Sequence, residues 1–266
     1  VGNVVPTVFL SHAGAISYGD GDAFSGRVGV PQTHAGSAND VGSDDLVFTW
    51  MFGGPAPQTH AYYNNGVSPD PAPSSLGTFP FAASDTAEVT FALPGAYVVR
   101  VTASDDDSAA ISTELPKLVV DSTGDGRRTK GWWLSRYGPA SATTAGVGPF
   151  HEIGYLQIVR FASRVFSETV VLADPAAAYA VLKTEASPDQ HRAAALAEAL
   201  AAWLNYARGN VGWEEQVPTG GGTNAPTLAF GVLMARVEAT LLDPNATRQA
   251  LQDAHKLAAG VNTPSG

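Results

Sequence analysis

The chain has 266 residues, with 15 Lys and Arg against 25 Asp and Glu, and it contains no Cys. This length is enough for one large domain or for two ordinary domains with buried cores. The absence of Cys excludes a disulfide framework, thiolate metal sites and a cysteine nucleophile. The net charge of −10 disfavours nucleic acid as the main partner, and no run of about 18 apolar residues could span a membrane.

The acidic excess lies in the N-terminal part of the chain. Residues 1–122 hold three basic residues against 13 acidic ones, whereas residues 123–266 hold 12 of each. Four of the five Trp also lie in the electrically balanced part. Two domains with different surfaces are the simplest explanation of this asymmetry.

The N-terminal part has the pattern of short β-strands. Runs of four to eight residues rich in β-branched and aromatic side chains are bounded by Gly, Pro, Asn and Asp. We predict strands at residues 4–10, 46–52, 88–93, 97–103 and 115–120. In the second run, Leu46, Phe48, Trp50 and Phe52 share one face, as in a strand that is covered on one side. The pattern predicts a small antiparallel β-sandwich over residues 1–121.

Two segments of this part resemble the PKD family, which has an immunoglobulin-like β-sandwich fold. They are residues 37–54 and residues 94–107, and Tyr97 matches the family's Gly-x-Tyr motif. The family's usual Trp-Asp-Phe-Gly-Asp-Gly strand reads Trp-Met-Phe-Gly-Gly at residues 50–54, without either aspartate. The insert at about 55–85 is similar to inserts of bacterial extracellular PKD domains. The resemblance covers residues 3–121 and implies an extracellular setting.

The C-terminal part has the period of amphipathic helices, about 3.6 residues. We predict five helices, at residues 153–166, 173–184, 188–208, 228–242 and 246–259. Short loops join most of them, so residues 128–266 are expected to form a compact helical bundle. A linker rich in Ser, Thr and Gly is predicted at residues 122–127.

Helix starts and buried faces can also be predicted. A capping residue precedes a proline suited to the first helical turn at three places, which are Asp174-Pro175, Ser187-Pro188 and Asp243-Pro244. For the helix at 228–242, the buried face is predicted to hold Leu228, Val232, Ala235 and Ala239.

Two motifs in this part resemble a helical module of secreted bacterial proteins. Residues 128–133, Arg-Thr-Lys-Gly-Trp-Trp, match an Arg-Thr-x-Gly-aromatic-Trp start, and residues 203–205 match a later Trp-Leu-Asn motif. The module often accompanies PKD-type repeats. The resemblance covers residues 126–262, implies an exported protein and transfers no catalytic residues.

Loops rich in Asp are the candidate metal sites. Calcium takes six to eight oxygen ligands, and alternate loops of a sandwich gather at the same end. The candidate ligands form three groups, which are Asp20 and Asp22; Asp40, Asp44 and Asp45; and Asp105, Asp106 and Asp107. The alternative is ordinary turn chemistry, because Asp caps turns without any metal.

Catalytic motifs are missing. The six His are scattered without an HxH or HExxH pair, and there is no Gly-x-Ser-x-Gly motif. Glu214 and Glu215 are adjacent, whereas the carboxylates of a glycosidase come from separate elements. We therefore expect a protein that is not an enzyme.

Aromatic residues are the candidate contacts for a ligand or partner. Trp132 and Trp133 lie at the start of the helical part, and Tyr62 and Tyr63 lie in the long insert. Such side chains can anchor an interface, but packing in the core is an equally good interpretation of all four. For Trp203, packing in the core is the better interpretation.

Two functions from different classes are compatible with these features. The first is a non-catalytic extracellular or cell-surface structural protein, with calcium stiffening the sandwich loops and with self-association into a fibre or surface layer. Contacts between an acidic sandwich and a neutral helical part would be heterologous, and such contacts propagate when they do not close. The alternative is an accessory region of a secreted hydrolase that binds polysaccharide or protein. In both cases the chain is secreted, and its leader is expected to be absent from residues 1–266.

Overall fold

The computed structural model describes residues 4–11, 15–41, 45–64, 80–122, 126–138, 149–184, 190–219 and 226–263. The chain forms two compact units. The first unit comprises Val1–Ile16, Asp22–Ala92 and Tyr97–Leu118, and the second comprises Ser17–Gly21, Leu93–Ala96 and Val119–Gly266. Two short segments of the N-terminal part thus belong to the second unit, which a single boundary at residue 121 does not anticipate.

The described part of residues 4–122 holds nine strands. They are β1 (Thr7–Ser11), β2 (Ala15–Tyr18), β3 (Gly21–Arg27), β4 (Gln32–Asp40), β5 (Leu46–Met51), β6 (Gln58–Tyr62), β7 (Phe81–Val89), β8 (Gly95–Ser104) and β9 (Ala110–Val120). One sheet has the order β1-β4-β7, and the other has the order β2-β3-β9-β8-β5-β6. Strand β4 is antiparallel to β1 and β7, and β5 is antiparallel to β6 and β8. The prediction of antiparallel sheets is confirmed.

Hydrophobic alternation identified some strands and missed others. The predicted inner face of β5 is confirmed, because Leu46, Phe48 and Trp50 are fully buried, as is Phe52 after the strand. Strand β4 was not predicted, since its sequence QTHAGSAND contains only two Ala as apolar residues. A Cβ on Gly36 of β4 would lie 3.2 Å from the Trp50 ring. This glycine therefore lets the indole approach the backbone of the other sheet.

A buried carboxylate joins strands of both sheets in the first unit. Asp85 on β7 is 4% exposed. It accepts hydrogen bonds from Trp50 Nε1 at 2.7 Å, Tyr62 Oη at 2.7 Å and His60 Nδ1 at 2.9 Å. Burial alone would raise the pKa of Asp85, but these bonds outweigh it and hold the pKa below its ordinary value. The same carboxylate raises the pKa of Tyr62 to about 12, chiefly through their hydrogen bond.

Lys117 is a buried cation of the first unit. Its side chain lies on β9, the residue is 2% exposed, and Nζ donates to the Ser25 carbonyl at 3.4 Å. Burial lowers the pKa of Lys117 to about 8. The charged form is therefore costly in the folded chain.

Residues 126–263, where described, hold six α-helices and a π-helical turn. The helices are α1 (Lys130–Tyr137), α2 (Pro149–Ala162), α3 (Pro175–Leu182), α4 (His191–Ala207), α5 (Phe230–Leu242) and α6 (Arg248–Val261). The π-turn is Val165–Thr169, and the short strands β10 (Gln216–Pro218) and β11 (Thr227–Ala229) pair antiparallel. Helix α1 is one more than the five that were predicted. No described helix has the length and apolarity needed to cross a membrane.

The predicted helix starts have different outcomes. Asp174 caps α3, since its carboxylate accepts the Ala177 amide at 2.8 Å. Asp243-Pro244 does not start α6, so that prediction is wrong. The Asp243 carboxylate instead accepts the Asn245 amide in a turn, and Thr247 is the cap of α6. The predicted start at 187–188 lies outside the described residues.

Helix α4 is the centre of the second unit. Twelve of the 17 residues of α4 are buried.

Helix α5 packs in an orientation that was not predicted. Its buried residues include Phe230, Leu233, Met234, Val237 and Leu241. The predicted buried face of α5 is wrong, because Val232, Ala235 and Ala239 are exposed. Helix α5 is apolar over most of its surface, so the 3.6-residue period is compatible with either of two faces being buried. The face with the larger side chains is the buried one, because it removes more apolar surface from water.

We predict that Asp85→Ala destabilises the first unit by about 2–3 kcal/mol, because buried donors such as Trp50 Nε1 lose a charged acceptor. Chemical denaturation near pH 7 measures this loss. Glu114→Ala is the control, since the ion pair of Glu114 with Arg100 is exposed and is worth at most about 1 kcal/mol.

The stabilisation by Asp85 also has a defined pH dependence. Its pKa is lower in the folded chain than in the unfolded chain, where it is about 3.9. The stabilisation is therefore present above that value and is lost as the pH falls through the folded pKa. Equal stability of the parent chain and Asp85→Ala near pH 7 would contradict this role.

We predict that Lys117→Met stabilises the first unit by on the order of 1 kcal/mol near pH 7, because the desolvated charge is removed. The difference in unfolding free energy between Lys117→Met and the parent chain becomes smaller as the pH rises from about 8 towards 10.5. The reason is that Lys117 of the parent chain loses its proton at a lower pH in the folded state than in the unfolded state. Denaturation at both ends of this range measures the change. Lys256→Met is the control, at a side chain that is 71% exposed, and is expected to leave the unfolding free energy unchanged at both pH values. A gain that is independent of pH would contradict the interpretation.

Candidate functional site

A pocket of about 260 Å³ opens in the second unit, and we call it the α5 pocket. Three aromatic residues line it, namely Tyr18, Trp203 and Trp213, together with Glu238 and Arg164. The small residues of α5 that contribute to its lining are Gly231, Ala235 and Ala239. The unpredicted orientation of α5 creates this opening, because it turns two alanines rather than large side chains towards the surface.

Tyr18 reaches the pocket from a distant part of the sequence. The segment after it binds the end of α2, where the Gly19 amide donates to the Ala162 carbonyl at 3.1 Å. A Cβ on Gly19 would lie 2.6 Å from Arg164 Cγ, so a larger residue would push this segment away. The Tyr18 hydroxyl is hydrogen-bonded to the Tyr206 hydroxyl on α4. Burial raises the pKa of Tyr18 to about 12, against the smaller opposing effect of that hydrogen bond.

The aromatic rings around the pocket pack on one another. The ring centroids of Tyr18 and Trp213 are 4.7 Å apart, and those of Trp203 and Trp213 are 6.2 Å apart. Phe230 lies 5.4 Å from Trp203 in an edge-to-face arrangement. Such pairs add to the stabilisation from burial alone and restrain each ring. Trp213 is only partly buried and lines the pocket.

Glu238 supplies a buried carboxyl group to the pocket. The residue is 7% exposed. One oxygen accepts Trp203 Nε1 at 2.9 Å, and the other accepts the Arg164 amide at 3.1 Å. Burial raises the pKa of Glu238, and the hydrogen bonds from Ser163 and Trp203 only partly oppose this effect. The carboxyl group is thus held in a fixed position.

Arg164 brings the opposite charge to the mouth of the pocket. Its side chain is exposed and pairs with Glu168 at 2.9 Å. The pocket therefore combines aromatic surface, a hydrogen-bond acceptor and a cationic donor, which suits binding and orientation of a small polar ligand. No motif joins Tyr18, Trp213 and Glu238, so these site residues were not predicted from the sequence. The predicted packing of Trp203 in the core is confirmed, since the residue is 2% exposed, and it also lines the pocket.

The two motifs of the helical part lie together in the structure. The Asn205 side chain accepts the Arg128 amide at 2.8 Å and donates to the Arg128 carbonyl at 2.8 Å. The guanidinium groups of Arg128 and Arg208 lie 5.2 and 4.9 Å from the centre of the Trp132 ring. These are cation–π distances. The motifs thus bind the chain entering α1 to the last turn of α4, which is a structural role.

The four predicted contact residues have different surroundings. Trp133 is fully buried among Tyr137, Tyr155 and the Trp132 ring, so it belongs to the core. Trp132 is partly buried between its two arginines. In the first unit, Tyr62 donates to Asp85, whereas Tyr63 is 46% exposed. None of the four lines the α5 pocket.

Two aspartates of the Asp-rich loops bind backbone amides, Asp105 within its own turn and Asp45 across to a distant segment. Asp45 and Asp105 are buried, and their carboxylates accept the backbone amides of Asn64 and Ala109 at 2.8 and 2.7 Å. The other described candidates are either buried, as is Asp40, or exposed, as are Asp20, Asp22, Asp106 and Asp107. Asp44 lies outside the described residues. Among the described residues no three His, Asp or Glu form a group that could hold a metal ion. Calcium binding by these loops stays a prediction.

A second buried carboxylate lies in the helical unit. Asp121 is 1% exposed and accepts hydrogen bonds from the Tyr155 hydroxyl and, at 3.1 Å, from His151 Nδ1. Burial would raise the pKa of Asp121, but these bonds and the Ser122 amide hold it below its ordinary value. Its own amide donates to the Ala207 carbonyl at 2.9 Å. Asp121 therefore holds its own segment of the second unit against α2 and α4.

We predict that Gly231→Ala displaces Trp213 and disturbs the α5 pocket. A Cβ at this position would lie 2.4 Å from Trp213 Cε2, so the indole has to move. We expect a changed near-ultraviolet circular dichroism spectrum and a loss of about 1–3 kcal/mol in stability. The control is Gly131→Ala on α1, where the nearest atom is 3.8 Å away and alanine favours the helix. An unchanged aromatic spectrum in Gly231→Ala would contradict the prediction.

No family model matches the chain, and no curated protein matches it. Among solved structures, the chain is similar to the PKD domain of an M14-like peptidase from Thermoplasmatales archaeon SCGC AB-540-F20. The two are 15% identical with a TM-score of 0.29, and the match covers 44% of this chain and 98% of that one.

Proposed function

We propose that the chain is a non-catalytic binding region of an extracellular protein, in which the second unit carries the binding site. The α5 pocket supports this proposal. Its aromatic walls and its charged groups of both signs, Glu238 and Arg164, are features of ligand sites. The first unit is proposed to be a PKD-like, immunoglobulin-like sandwich that acts as a spacer. Side chains from its two sheets meet at Trp50 and Asp85, as in such a fold.

We assign structural roles to the buried carboxylates Asp85 and Asp121. Asp85 and Asp121 each accept three or more hydrogen bonds, including one from a histidine and one from a tyrosine. Each lies at a junction of strands or helices. Both carboxylates are thus engaged in holding the fold.

Both settings considered from the sequence are compatible with a binding region, namely a cell-surface protein and an accessory region of a secreted hydrolase. The pocket favours the second setting, because an accessory region has to hold a ligand. Self-association into a fibre or layer rests on the uneven charge of the chain and stays a prediction.

Sedimentation of the full chain with insoluble cellulose, chitin, peptidoglycan and collagen tests the proposal. We expect at least one material to retain the chain, with no soluble fragments released. Trp213→Leu is expected to lower retention by about tenfold, the scale of a lost aromatic contact. Trp132→Leu, at a partly buried Trp that does not line the pocket, is the matched control and should be retained like the parent chain. Release of fragments, absence of retention, or equal retention of both variants would overturn the proposal.

A further inference from the structure

We propose that the α5 pocket binds a single neutral sugar ring, an inference that rests on the proposed binding function and names its ligand class. Trp213 is the partly exposed aromatic wall of the pocket, and the buried rings of Tyr18 and Trp203 lie beside it. Aromatic rings pack well against the C–H groups of a pyranose. The contacts among these three residues hold their rings in place before a ligand arrives, which lowers the entropic cost of binding.

The polar groups of the pocket select a neutral ligand that both donates and accepts hydrogen bonds. Glu238 offers carboxyl oxygens from a buried position, and Arg164 offers N–H donors at the mouth. Ser17 adds an exposed hydroxyl group. Glu168 already pairs with the Arg164 guanidinium, and Trp203 Nε1 and the Arg164 amide already bind the Glu238 carboxyl group, which disfavours a charged ligand. A polyol can use both, because each hydroxyl group is a donor and an acceptor.

The size of the pocket limits the ligand to about one ring. Its volume of about 260 Å³ lies below the usual range for drug-sized ligands, roughly 300–1,000 Å³. Ala235 and Ala239 lie one helical turn apart and leave this space open on α5, whereas the Trp213 indole covers Gly231. An oligosaccharide or polysaccharide would therefore insert one sugar unit, at an end or a branch, and its other units would lie outside the pocket.

The exposed alanines of α5 allow the pocket to be blocked without disturbing the core. Ala239→Leu places a larger side chain in the opening, and leucine is a good helix former. Val232→Leu is the matched control, because Val232 is 49% exposed on the same helix and does not line the pocket. Both variants are expected to unfold at the temperature of the parent chain.

Saturation-transfer NMR of the full chain with neutral methyl glycosides of glucose, galactose, mannose and N-acetylglucosamine tests the inference. We expect saturable binding of at least one glycoside at millimolar concentration, weakened at least tenfold by Ala239→Leu and unchanged by Val232→Leu. Tetramethylammonium chloride and sodium acetate probe the cationic and anionic alternatives. Binding of either ion in the absence of glycoside binding, no binding of any glycoside, or glycoside binding that Ala239→Leu leaves intact would overturn the inference.

The sedimentation experiment separates this inference from the proposed function. If retention on an insoluble material depends on Trp213 but no glycoside binds, the inference of sugar binding is overturned and the proposed binding function is supported. If the chain neither is retained on any material nor binds any glycoside, both proposals are overturned. Glycoside binding that Ala239→Leu abolishes, together with retention that depends on Trp213, would support both.

Discussion

The second unit depends on the burial of helix α4. Twelve of its 17 residues are inaccessible, so α4 must be covered on almost every side. Alanine makes up much of its surface, and neighbouring elements can therefore approach closely. Its few large or polar residues determine what covers it. Asn205 binds the backbone at Arg128, and Trp203 and Tyr206 gather the other aromatic rings.

The pocket is a consequence of how this core is completed. Phe230 and other large residues of α5 pack inward, which leaves Ala235 and Ala239 outward. Trp213 then lies over Gly231, where a side chain would collide with it. The segment containing Tyr18 closes another side through backbone hydrogen bonds to α2. The site thus results from the packing of four separate parts of the chain.

The buried ionisable groups differ in what offsets the cost of their burial. Asp85 and Asp121 are buried among donors, and the hydrogen bonds offset the cost of removing each charge from water. Within the described part of the chain, Lys117 donates one weak hydrogen bond, to the Ser25 carbonyl, and burial lowers its pKa. Glu238 lies between these cases, with its pKa raised although it accepts hydrogen bonds. A carboxyl group of this kind at a pocket wall is more often associated with function than one fully absorbed into the core.

The sequence by itself determined the succession of antiparallel sheets and helices. Alternation at 46–52 identified the buried face of β5, and periodicity located five of the six described α-helices. It did not reveal β4, because a strand of small and polar residues lacks the hydrophobic pattern. It also predicted the wrong buried face of α5, where two faces satisfy the same period.

Only the tertiary structure decided which residues form the site. Tyr18, Trp213 and Glu238 are separated by long stretches of sequence, and local spacing carries no information about such contacts. The reason is physical, because a pocket is defined by the space that the large side chains of the core leave unfilled.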